Sequence, residues 1–134
     1  MPVTYEIESE TGILRTRCRG QVSFEEVIGH FRTLEGDDSL PRPIDVLLDL
    51  TETQSLPETD QIRSVAVEVD RLRSHVQWGA CAIVASSDAL YGMTRMFHAF
   101  VERFFAASNV FRDLEDAERW LASVRSAPAA APAD

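Results

Sequence analysis

Residues 108–121 (Ser-Asn-Val-Phe-Arg-Asp-Leu-Glu-Asp-Ala-Glu-Arg-Trp-Leu) constrain the fold of this chain more than any other stretch. A short apolar strand at Val110-Phe111 runs through Arg112 into Asp113, whose carboxylate can cap a helix. Asp116, three residues on, can complete a capping box. Leu114, Ala117, Trp120, Leu121 and Val124 then recur on one helical face, with Trp120 at its edge. A short strand feeding a last amphipathic helix is how a small α/β domain closes its layers.

The residues before it fill in the rest of that domain. Val3 to Glu8 alternates apolar and polar, Ser9 to Gly12 reads as a turn, and Ile13 to Arg19 alternates again. In the second run Leu14, Thr16 and Cys18 share one face, while Arg15, Arg17 and Arg19 share the other. The arginines read either as an anion patch or, more plainly, as a charged guard on an edge strand. Ser23-Phe-Glu-Glu26 is a capping box, and Phe24, Val27, Ile28, Phe31 and Leu34 form the stripe of a first helix. Ile44 to Leu50 is a central strand, followed by a loop of hydroxyls and acids from Thr51 to Thr59. Ile62, Val65, Ala66, Val69, Leu72 and Val76 mark a second helix, and Gly79 to Ser86 a second central strand. Ser86-Ser-Asp88 caps a third helix that runs to about Phe105.

The order β-β-α-β-α-β-α-β-α predicts one α/β domain over residues 1–125. An antiparallel N-terminal hairpin leads into a mixed, mostly parallel sheet with four flanking helices. Residues 126–134, rich in alanine and proline, read as a disordered tail.

Charge and composition exclude more than they select. A net charge of −9 opposes binding to nucleic acid and to anionic membrane surfaces. All thirteen basic residues are arginine, so lysine Schiff bases and a P-loop lysine are ruled out. Cys18 and Cys81 have no redox or zinc spacing and read as buried thiols. His30, His75 and His98 fall in three different helices with no partner at metal spacing. No nucleophile elbow, dinucleotide fingerprint or zincin motif occurs, so no catalytic residue, cofactor or metal is named. No run reaches the roughly 18 apolar residues of a spanning helix, and there is no signal-peptide pattern; the expected location is cytoplasmic, without membrane insertion.

Two features carry the functional expectations. Leu90, Met93, Met96, Phe97, Phe100, Val101, Phe104 and Phe105, with Tyr91 at one edge, cover a wide arc of the third helix. Core packing is the plain reading. The alternative is a dimer surface or an apolar-ligand surface, with Tyr91, Met96, Phe100 and Phe105 as its candidates. The second feature is the loop after the Ile44–Leu50 strand, because ligands of open α/β sheets gather at strand carboxyl ends. Asp49 and Thr51 are candidates there, and so are the hydroxyls of Ser55 and Thr59. The plain reading makes Ser55 the cap of the second helix and leaves Thr59 exposed.

The element order, the Asp45-Val-Leu-Leu-Asp-Leu strand and the Val110-Phe111-x-Asp-x-x-x-Ala-x-x-Trp-Leu ending resemble the STAS superfamily over about residues 3–124. The resemblance is closest to its SpoIIAA-like bacterial branch. It implies the fold of the anti-sigma factor antagonists and a non-enzymatic domain that acts by binding. Antagonists carry Asp-Ser-Ser-Gly at the start of the second helix, where a partner kinase phosphorylates a serine. Here Pro57-Glu58-Thr59-Asp60 occupies those positions, which puts Thr59 at the phosphorylated one and an aspartate where the glycine stands. The leading expectation is therefore a binding domain for a protein partner or a small apolar ligand. A phospho-switched antagonist of a kinase-like anti-sigma factor is the first alternative, and an enzyme with a carboxylate-based site the second.

Overall fold

β1 (Val3–Ile7) and β2 (Leu14–Gly20) pair antiparallel around a turn in which Gly12, at φ 75°, takes a left-handed conformation that suits glycine. The computed structural model describes residues 2–126. After the hairpin come α1 (Phe24–Glu35), β3 (Ile44–Thr53), α2 (Thr59–Arg71), β4 (Trp78–Val84), α3 (Asp88–Val101), β5 (Ala107–Phe111) and α4 (Leu114–Ser126). Short 3₁₀ turns, Leu72–Ser74 and Glu102–Phe104, extend α2 and α3. The strands form a single sheet in the order β1-β2-β3-β4-β5, parallel from β2 onward. This is the predicted mixed sheet with its N-terminal hairpin. Ser126 is the last residue of α4, and the rest of the predicted tail lies outside the described residues.

Alternation along the strands sorts side chains into two layers. Leu14, Val46, Cys81 and Ile83 face α1, α2 and α3, where Phe31, Leu34, Ala66, Val69, Trp78 and Val101 complete a large core. Leu47, Ala80, Ala82 and Val84 face α4 and pack on Ala117 and Leu121. Alanines at two of these positions let α4 lie close to the sheet. At the start of β4, a Cβ on Gly79 would collide with the Asp45 carboxylate, which accepts the Ala80 N–H at 2.7 Å. Glycine is what allows that approach.

The caps at Ser23 and Asp113 form as the sequence predicts. Ser23 Oγ accepts from Glu26 N, and the Glu26 carboxylate accepts from Ser23 N. Asp113 accepts from the backbone N–H groups of Glu115 and Asp116. The Asp116 carboxylate, however, pairs with Arg119 instead of closing a capping box. Ser87 caps α3 by accepting from Leu90 N at 3.2 Å.

Three expectations change. β2 is not an edge strand, because β1 lies outside it. Its arginines instead reach acids: Arg15 binds Glu8 and Glu118 of α4, Arg17 approaches Asp49, and Arg19 meets Glu52. β3 continues through Thr53, so the loop that follows shrinks to residues 54–58. Glu58, not Ser55, is the N-cap residue of α2, and its N–H donates to the side chain of Gln61 at 2.9 Å.

Candidate functional site

A cavity of about 520 Å³ lies between the sheet and the α1–α3 layer. Its floor comes from the inward faces of two strands: Leu14, Thr16 and Cys18 on β2, and Val46, Leu48 and Leu50 on β3. Its walls are the apolar stripes of three helices, with Phe24, Val27 and Phe31 on α1, Ile62 and Val65 on α2, and Met93 and Phe97 on α3. Phe105, beyond α3, closes one end, where its ring stacks at a tilt on Trp78 with centroids 5.5 Å apart. The size and apolar lining match sites that enclose small molecules.

The local backbone shapes the opening. The β2–β3 register shifts between Arg17 and Arg19, which pair with Asp49 and Glu52, so β3 holds one extra residue there. Such a bulge reverses the alternation. Thr53 therefore joins Leu50 in lining the cavity. The chain after β3 then meets the chain before α1: Gln54 N donates to Gly20 O at 2.8 Å. Val22 N donates to Ser55 Oγ at 3.0 Å, and Ser55 Oγ donates to Val22 O at 3.3 Å. The exposed members of the lining are Ser23, Glu25, Leu56 and Glu58. The cavity therefore opens between the starts of α1 and α2.

Polar groups inside are few. His30 sits against Thr16, with Nε2 3.4 Å from Oγ1, and against the rings of Tyr5 and Phe31. Burial pushes its pKa down to about 4, so the imidazole is neutral at pH 7. Burial raises the thiols of Cys18, to about 11 with help from the Asp49 charge, and of Cys81, to about 12. Both stay protonated. Thr94 spends its hydroxyl hydrogen on Tyr91 O at 2.8 Å.

The candidates from the sequence scatter around this site. Ser55 stands on its rim with its hydroxyl engaged by Val22. Thr59 is exposed at the first residue of α2. Asp49, only 5 % exposed, and Thr51 lie on the opposite, α4 face of β3 or near it; Asp49 accepts from Thr51 N and Oγ1. Of the four surface candidates Tyr91, Met96, Phe100 and Phe105, Phe105 alone lines the cavity. Tyr91 lies under the Arg112 guanidinium and Phe100 under that of Arg63, while Met96 is half-buried. His30 and Thr16 are not among the candidates from the sequence, although a polar side chain amid an apolar face at each position is a signal for them.

Among the described residues no group of His, Cys, Asp and Glu is placed to hold a metal ion, and no helix is long and apolar enough to cross a membrane. No family model and no curated protein sequence matches the chain. Among solved structures it is similar to the crystal structure of an uncharacterised DUF3478-family protein with a SpoIIAA-like fold from Shewanella loihica PV-4. The TM-score is 0.59 at 20 % identity, over 89 % of this chain and 91 % of that one. The fold is SpoIIAA-like, as the strand and helix order predicts.

Proposed function

We propose that this chain is a non-enzymatic binding domain whose ligand is a small apolar molecule held between the sheet and α1–α3. The observation that supports this reading is the cavity itself, about 520 Å³ with a mostly apolar lining and an opening between two stitched loops. A concave, mostly apolar space of this size, open at one end, is the kind of site that takes up small apolar molecules. The switched-antagonist reading fares less well on the same loops. The Ser55 hydroxyl is committed to Val22, and Thr59 stands between Glu58 and Asp60, which oppose an added phosphate. The carboxylate-enzyme reading would use Glu25 and Glu58, the acids of the lining, but both are solvent-exposed at the rim.

Titration with N-phenyl-1-naphthylamine, an uncharged dye that fluoresces in apolar surroundings, tests the reading. Saturable, blue-shifted emission is expected. Val27→Trp, which fills the cavity from α1, should abolish it while the far-ultraviolet circular dichroism stays the same. Absence of saturable uptake, or equal uptake by the folded tryptophan variant, would sink the reading.

A further inference from the structure

We infer that the cavity accepts uncharged apolar molecules with a hydrogen-bonding end, such as long-chain alcohols, and rejects their carboxylate counterparts. This rests on the binding reading above and names the ligand class for that site. Strand alternation is the first reason. β2 turns Thr16 and Cys18 into the cavity and sends Arg15, Arg17 and Arg19 to the other face of the sheet, where they meet acids. Among the described residues, none of the chain's arginines lines the cavity. The one basic side chain in the lining is His30, which is neutral in its buried position.

The second reason is the rim. Its exposed charged side chains are Glu25, in the first turn of α1, and Glu58, the N-cap residue of α2. An entering carboxylate would pass two like charges and then lose its water with no cation to replace it. A hydroxyl faces neither penalty, since it carries no charge and the Thr16–His30 pair offers hydrogen-bonding partners. The cavity therefore selects by what its walls lack.

Displacement of bound N-phenyl-1-naphthylamine by 1-decanol and by decanoate, both below micellar concentrations at about pH 8, compares the two classes at equal chain length. Decanol is expected to displace the dye at a concentration about tenfold or more below that of decanoate. The Glu25→Gln, Glu58→Gln double variant should narrow the gap by improving decanoate alone. Decanoate displacing as well as decanol overturns the selectivity while leaving apolar binding intact, and a gap untouched by the double variant overturns the part given to the rim carboxylates. Failure of the dye itself to bind overturns the binding reading, and this inference falls with it.

Discussion

His30 shows how one side chain couples the site to stability. It lies on the inner face of α1 where a hydrophobic residue would be the simpler choice, against Thr16, Tyr5 and Phe31. Burial holds its pKa near 4, against the 6.5 of an exposed histidine. Between those values the unfolded chain binds a proton that the folded chain does not, so acidification favours unfolding. The stabilisation is whole above about pH 6.5 and is lost as pH falls toward 4, by about 3 kcal/mol in all. Urea midpoints should therefore drop between about pH 7 and pH 5 in the native sequence and stay nearly level in His30→Gln. A native midpoint that ignores pH over that window would mean the imidazole is hydrated. Glu35 and Asp37 are held below the usual carboxylate range, chiefly by Arg71 and by Ser39, so any losses they add come at lower pH.

At the scale of elements, α4 stands apart because it covers its face of the sheet alone among the described helices. Its stripe is read correctly from period and cap, yet its residues differ in burial. Ala117 and Leu121 are buried against Ala80, Ala82 and Val84, whereas Trp120 is half-buried with its ring 5.6 Å from that of Phe111. Two ion pairs, Glu118 with Arg15 and Arg125 with Asp45, tie it to the strands beneath. Leu121→Ala should cost about 3 kcal/mol, and Trp120→Ala only about 2 because part of its surface is already wet. Urea denaturation with an unchanged slope would measure both, and the reverse ranking would show that the tryptophan is the true anchor. Stripe position was legible here, but depth of burial depends on the small side chains of β4, some forty residues away.

For the whole molecule, the wide apolar arc of α3 raised the expectation of a dimer. In the folded chain the arc is divided. Phe97 and Phe105 wall the cavity, the guanidinium groups of Arg73 and Arg103 both lie over the Phe104 ring, and those of Arg63 and Arg112 lie over Phe100 and Tyr91. The large hydrophobics that remain exposed, Leu56 at 56 % and Val67 at 63 %, belong to the loop before α2 and to α2 itself. Among the described residues neither of these belongs to α3, which predicts a weak drive to self-association through that helix. Light scattering is expected to give the mass of one chain; twice that mass, reduced to one by Phe100→Ser, would restore the α3 contact.

The sequence by itself determined the order of elements, the two faces of β2 and the caps at Ser23, Ser87 and Asp113. These follow from interactions within a few residues: a period of two, a period of 3.6 and side chains bonding nearby N–H groups. Only the tertiary structure decided that three helices share one face, that β3 bulges past Asp49, and that Ser55 serves Val22, 33 residues back, instead of α2. The cavity belongs to this second group. It is the volume left over when two strands and three helices, far apart in the chain, fail to fill the space they enclose. No single segment carries that sum, because packing is settled by every side chain that meets there at once.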